Sequence, residues 1–321
     1  MPAETPLLKG KSFDYDRDLY DRQFMSCLFR HAVVWFGKMG LPADLLFYDA
    51  LASSDAVMQQ MVVDKLPKFA FRCDSFSDAD FDLIGVKEIG VLADTFVEVR
   101  PLIVKQIESG KAVLLEGNVF YFPHCPEYRN AHAQHVVVID HIMPDGSWHI
   151  VDDDPASVLC EYVYEDAVVA RFFENSVNRK LRYYELDPSR PLGEVVSLID
   201  DRFEAFVRGH RDTFTFYDAV RDILRNPYDS NVNKHRLLHD CFSILAGSRK
   251  CFARYLQISH WPDSLVIGAM RCSKEASVLK SVMARAMMTG ALRFDGLVDR
   301  CLLLKQLESD LYGSLVAGLR K

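Results

Sequence analysis

The sequence predicts an α+β protein: an N-terminal domain that mixes helices with an antiparallel sheet, followed by an α-helical domain. Three observations predict it. A helical apolar pattern covers residues 24–38, short strand-like runs begin at Lys111, and beyond residue 194 the apolar residues recur at i, i+3 and i+4.

The first helix follows a polar, Asp-rich lead from Phe13 to Asp21 and takes Leu28, Val33, Val34, Trp35 and Phe36 as its apolar positions. Gly37 and Gly40, followed by Pro42, end it. Residues 43–110 carry mixed signals, with helices expected at 52–63 and 93–109. The runs 112–122, 135–142 and 148–151 are rich in β-branched and aromatic residues and read as strands. Pro144, Asp145, Gly146 and Ser147 form a turn signal between the last two, which makes them a hairpin. A further strand is expected at Leu181–Leu186. Asp187 to Gly193, with two prolines and a glycine, reads as a linker.

Helices then fill 194–208, 216–225, 235–257, 274–290 and 295–319, broken at Asn226-Pro227, Trp261-Pro262 and Gly290. The expected domains are therefore 1–187 and 194–321, with the first dozen residues disordered and no repeat of fixed period.

Composition narrows the function. The 321 residues are 49% hydrophobic and 26% charged, enough for two globular cores. The net charge of −7 and the lack of a long basic run argue against nucleic acid as a partner. No run approaches the roughly 18 apolar residues of a membrane span, and the N-terminus lacks the basic flank and apolar stretch of a secretory signal. A cytoplasmic protein is expected. The eight cysteines, at 27, 73, 125, 160, 241, 251, 272 and 301, form no CxxC pair, so no zinc knuckle or redox motif is drawn and no metal or other cofactor is expected.

Cys27 has the best chemical context of the eight. It stands at the start of the first strong helix, where unpaired backbone N–H groups carry partial positive charge and favour the thiolate. The plain alternative is a buried helical cysteine. His135 opens the strand HVVVIDHI, and its hairpin partner ends in Asp152, Asp153 and Asp154. A carboxylate there can meet the imidazole across the strand pair and fix its tautomer. Asp152 and Asp154 share one face of an extended chain and Asp153 takes the other, so Asp153 is the poorest candidate. The plain alternative for these acids is a solvated turn. His31, one turn after Cys27, reads as packing or surface. His124, His132 and His141 read as solvated loop residues without metal-ligand spacing, and Cys125 ranks below Cys27 because it lacks a helix start.

These elements together resemble the papain-like cysteine acyltransferase and peptidase superfamily, which includes bacteriocin-leader peptidases. More closely, they are similar to the N-terminal domain of the butirosin-type acyltransferases, which carry an acyl chain from an acyl carrier protein to an aminoglycoside amine. The resemblance covers about residues 15–187 and rests on Cys27 with its helix, KAVLLEGNVFYFPHCPEY (111–128), HVVVIDHI leading to Asp-Pro, and EYVYEDAVVARFFEN (161–175) as strand then helix. It implies a papain-like first domain with Cys27 as nucleophile, His135 as base and Asp152 as the orienting acid, Asp154 being the alternative if Asp-Pro is the anchor. It also implies an acyl or peptidyl carrier protein as donor and a small-molecule amine as acceptor. Two departures stand out. Asp21 occupies the place six residues before the cysteine where glutamine is usual, which leaves Gln23 as the oxyanion donor, and Asn118 stands where an acidic residue is expected. The rival functions are a cysteine peptidase, an amide or thioester hydrolase, and a non-catalytic binding protein that retains the fold.

Overall fold

The computed structural model describes residues 10–73, 75–156, 158–187, 191–225 and 233–319. The first nine residues, positions 188–190 of the expected linker and the Asn226-Pro227 break lie outside them. Contacts gather the described residues into two units, one of 10–20, 27–41 and 84–187, the other of 21–26, 42–83 and the residues from 191 onward.

The first unit is α+β and holds a seven-stranded sheet. Its strands are β1 (Lys11–Ser12), β2 (Val86–Leu92), β3 (Val113–Asn118), β4 (Gln134–Ile142), β5 (Trp148–Asp153), β6 (Leu159–Tyr164) and β7 (Lys180–Leu186). They run in the order β1-β6-β5-β4-β3-β7-β2, and every neighbouring pair is antiparallel. The expected β4–β5 hairpin is present, closed by a Met143 N–H bond to the Ser147 carbonyl at 2.8 Å, with Gly146 at φ +85°. That left-handed conformation is one glycine adopts freely.

Helices α1 (Cys27–Lys38), α4 (Phe96–Glu108) and α5 (Asp166–Glu174) complete this unit; α2 (Ser54–Val57) and α3 (Asp78–Leu83) belong to the other. Alternation along the strands separates two apolar faces. One joins Val113, Leu115, Val137, Ile139, Trp148 and Ile150 to Phe96, Val99 and Ile103 of α4 and to Val169, Phe172 and Phe173 of α5. Gly117 permits that packing, since a Cβ there would collide with the Phe172 ring. On the other face α1 lies against β4, and Phe36 meets Tyr184 edge to face at 4.8 Å.

The second unit is helical: α6 (Leu192–Gly209), α7 (Thr215–Arg225), α8 (Lys234–Ile258), α9 (Asp263–Thr289) and α10 (Phe294–Gly318). α9 begins at Asp263, ahead of the 274 read from sequence, because the small residues Ala269, Ser273 and Ala276 pack its buried face and dilute the apolar pattern. Segments 21–26 and 42–83, which the sequence division put in the first domain, group with these helices. The reason is polar as well as apolar: Ser54 bonds Asp212 through its N–H and hydroxyl, and Ser248 accepts from Ala52 N–H while donating to the Ala50 carbonyl. Helix α2 has four residues and its π-helical continuation Met58–Val63 six, too few to be stable without such a scaffold. Among the described residues no helix is long and apolar enough to cross a membrane.

Candidate active site

Cys27 is the first residue of α1, where backbone N–H groups lack intrahelical partners. Its sulfur hydrogen-bonds with His135 and accepts from the backbone N–H of Val136. His135 in turn places Nε2 2.8 and 2.9 Å from the two oxygens of Asp152, which leaves Nδ1 as the nitrogen for the thiol. The hairpin register explains the meeting: Val138 pairs with Val151, which puts Asp152 opposite Val137 and His135 one diagonal step away on the same face.

Cys27 is half-buried, the His135 side chain is 15% exposed and that of Asp152 1%, so the carboxylate is the covered member of the three. The charges follow. Burial opposes the thiolate, but the hydrogen bond and charge of His135 and the nearby Arg30 guanidinium outweigh it and lower the Cys27 pKa below the usual thiol value. Burial likewise opposes the His135 cation, and Asp152 together with Cys27 raises its pKa well above the ordinary imidazole range. Asp152, though buried, is held well below the usual carboxylate range, chiefly by the charge of His135. The arrangement is a thiol–imidazole pair whose charged form is favoured, backed by a covered carboxylate.

The other sequence candidates have different places. Asp153 pairs with Arg30 Nη2 at 3.0 Å and lies 3.7 Å from His135 Nε2. Asp154, the alternative acid, accepts from the Val158 N–H at 3.0 Å, and its own N–H bonds the Val158 carbonyl, so it closes the β5–β6 turn. Asp21 caps the turn before α1 by accepting from the N–H groups of Gln23 and Phe24, each at 2.8 Å. Gln23 accepts through Oε1 from Lys280 Nζ at 2.6 Å within the helical unit. Asn118 donates to the Asn175 carbonyl and accepts from the Phe120 N–H. Cys125 is buried, and that burial together with Asp152 pushes its thiol pKa up, the opposite of Cys27.

Two histidines read as peripheral are central. His124, expected in solvent, is fully buried, with Nε2 2.9 Å from Asp152 Oδ2 and Nδ1 2.8 Å from the Tyr164 hydroxyl. His31 is buried too, its Nε2 3.4 Å from Asp152 Oδ1, and burial lowers its pKa so that it stays neutral. His132 is exposed and stacks on Phe120 at 4.3 Å, as a loop residue does.

Among the described residues, three clusters bring together groups of the kind that hold metals: His31, His135, Asp152 and Asp153; His124, Cys125 and Asp152; and Asp140, His141 and His149. The first shares His135 and Asp152 with the Cys27 site. The second places the buried thiol of Cys125, its pKa raised by burial, beside His124 and Asp152. In the third, Asp140 Oδ1 already lies 2.6 Å from His149 Nδ1 and 3.1 Å from His141 Nδ1.

No protein-family profile matches the chain. Among curated proteins it is similar to a transferase of Niallia circulans, 21% identical over 296 residues, spanning 91% of this chain and 95% of the relative. That relative is named ribostamycin:4-(gamma-L-glutamylamino)-(S)-2-hydroxybutanoyl-[BtrI acyl-carrier protein] 4-(gamma-L-glutamylamino)-(S)-2-hydroxybutanoate transferase. It is the butirosin-type enzyme to which the sequence motifs bear their resemblance, and the similarity runs through both units rather than the first alone.

Proposed function

We propose that this chain is a cysteine-dependent acyltransferase with a papain-like first unit, which takes an acyl group from a carrier-protein thioester onto Cys27 and delivers it to the amine of a small molecule in natural-product biosynthesis. The observation that carries the reading is the contact of Cys27 with His135, whose far nitrogen rests on the buried carboxylate of Asp152. A partly exposed thiol with lowered pKa beside an imidazolium is poised for attack on a carbonyl. Similarity along most of the chain to a transferase named for an acyl-carrier-protein substrate supports the donor class. The cytoplasm, a reducing compartment, would keep such a thiol free.

In this reading the Cys27 thiolate adds to the thioester carbonyl. The tetrahedral intermediate collapses, its bond to the carrier's sulfur breaks, and the departing thiolate takes the proton from His135. The amine then attacks acyl-Cys27, His135 accepts the amine proton, and the carbon–sulfur bond breaks to give the amide and the Cys27 thiolate. Negative charge on the carbonyl oxygen falls to backbone N–H groups at the start of α1. Gln23 is the proposed side-chain donor to that oxygen, on the resemblance alone.

The test is mass spectrometry of the protein after brief exposure to an acyl-carrier thioester, followed by a panel of amines. An acyl adduct on the peptide containing Cys27 that disappears as amide forms is expected. Adduct with free acid as the sole product at every amine concentration makes the protein a hydrolase, and no adduct on Cys27 removes the covalent mechanism.

A further inference from the structure

The carboxylate of Asp152 has more partners than the orientation of one histidine requires. Oδ1 accepts from the Asp153 N–H at 2.7 Å, faces His135 and lies 3.4 Å from His31 Nε2, and Oδ2 faces both His135 and His124, each at 2.9 Å. A carboxylate held by a single bifurcated contact can rotate about its terminal bond. His124 Nε2 on Oδ2 and the backbone N–H on Oδ1 together remove that freedom.

His124 can do this in one tautomer. With the proton on Nδ1, its Nε2 lone pair would face the carboxylate at 2.9 Å, which is repulsive, so Nε2 carries the proton. Nδ1 is then an acceptor, and the group that faces it at 2.8 Å is the Tyr164 hydroxyl. Burial pushes the Tyr164 phenol up, which keeps its proton available for that bond. The ring plane is fixed as well: His124 stacks on Tyr162 with centroids 3.9 Å apart and planes at 17°. Tyr164 thus fills the second nitrogen as a donor, and both ring nitrogens of His124 are engaged.

We propose that His124, held in its Nε2–H tautomer by Tyr164, is a positioning residue that locks the Asp152 carboxylate onto His135 and thereby sustains the Cys27 thiolate. The chain Tyr164–His124–Asp152–His135–Cys27 is one line of hydrogen bonds that runs from the core to a half-buried residue. The proposal rests on the reading of Cys27 as the nucleophile and adds to it a second histidine that never touches substrate. When the His124 donor is lost, Oδ2 has His135 as its one remaining partner among the described residues, and the Asp153 N–H and His31 restrain the carboxylate through Oδ1 alone, so its hold on His135 loosens. The imidazolium is then less stabilised and the thiol holds its proton to higher pH.

The experiment is the pH dependence of Cys27 alkylation by iodoacetamide in the intact protein, read by peptide mass spectrometry, for wild type, His124→Phe, His124→Gln and Tyr164→Phe, with near-ultraviolet circular dichroism as the check on folding. His124→Phe keeps a ring and removes the donor, and its acid limb should move up by about one pH unit, which lowers the rate on that limb about tenfold. Glutamine offers an N–H donor at nearly the same reach, so His124→Gln should recover most of the wild-type profile. Tyr164→Phe removes only a hydroxyl and should shift the profile in the same direction by less. A folded His124→Phe with the wild-type profile, or a His124→Gln as impaired as His124→Phe, overturns the proposal. If His124→Phe does not fold, an unshifted Tyr164→Phe overturns it. An ordinary thiol profile at Cys27 in the wild type is a different outcome, for it removes the underlying reading instead.

Discussion

His135 Nε2 sits almost equally close to both oxygens of Asp152, at 2.8 and 2.9 Å, and this fixes which face of the imidazole is left for Cys27. Asp152→Asn puts an amide where the second acceptor was, so the imidazole can no longer be held in the same tautomer. Turnover should fall by orders of magnitude, on the order of 10⁴-fold as in other triads of this logic. Asp154→Asn should be mild, because Asp154 closes the turn with Val158. Comparison of kcat for the two variants decides the matter, and a crippled Asp154→Asn beside an active Asp152→Asn reverses the assignment.

Among the eight cysteines, Cys27 combines partial exposure with a lowered pKa. Iodoacetamide at neutral pH should therefore label Cys27 first and leave Cys125, buried and pushed upward, unmodified in the folded protein. Cys27→Ala should abolish both the fast labelling and the turnover while the circular dichroism spectrum is retained. Labelling of Cys125 before Cys27 is the result that contradicts the electrostatics.

The residues that make up this site were legible where local pattern and chemistry coincide. Cys27 starts a strongly patterned helix, and a marked turn joins the strands of His135 and Asp152, but what brings those two onto one face is the register shift between Ile139 and His141, which the sequence does not show. Asp152 and Asp154 stayed tied because they share that face, and the turn bond to Val158 is invisible in sequence. His124 was illegible for a different reason. It lies in the loop after β3, with no periodicity, and its burial depends on Tyr162 and Tyr164 arriving from β6 some forty residues later. Strand β2 was missed because Lys87, Glu88 and Gly90 interrupt its apolar alternation, which an edge strand tolerates and a central one does not. The grouping of 42–83 with the C-terminal helices depends on bonds such as Ser54 to Asp212, which are 158 residues apart and leave no local trace.

Those bonds make a prediction about the helical unit. Arg249, fully buried, gives two hydrogen bonds to Glu308, at 2.7 and 2.9 Å, and a third to the Ala52 carbonyl at 2.6 Å, while the Tyr217 hydroxyl donates to Glu308 at 2.6 Å. Arg249→Met strands a buried carboxylate and should cost about 3–5 kcal/mol in urea unfolding. A fragment that begins at residue 194 lacks the Ala50 and Ala52 partners of Ser248 and Arg249, and should show little cooperative unfolding by circular dichroism. A cooperative fragment, or a loss below about 1 kcal/mol in the variant, would show that the discontinuous segments are dispensable.

The ion pair makes its own prediction through proton linkage. His135 has its folded pKa raised above the ordinary 6.5, so its contribution to stability is complete below 6.5 and is lost as pH rises through the folded value. Cys27 has its folded pKa lowered below the ordinary 9.0, so its contribution is complete above 9.0 and is lost as pH falls through the folded value. At pH values that lie between 6.5 and 9.0 and also between the folded pKa of Cys27 and that of His135, the folded pair holds one proton on His135 and the unfolded pair holds one on the thiol. The proton counts match, and the pair adds no slope to stability against pH. Cys27→Ala breaks the compensation. His135 is still raised by Asp152, so the folded variant binds more protons than the unfolded one above 6.5, and stability falls with rising pH by up to about 1.4 kcal/mol per unit. His149, also raised by its carboxylate neighbour, contributes equally to both proteins and cancels in the difference. Urea midpoints measured at several pH values from 6.5 to 9.0 should therefore diverge, with the variant losing ground steadily to the wild type. Parallel curves for the two proteins would mean that Cys27 is a neutral thiol in the folded state.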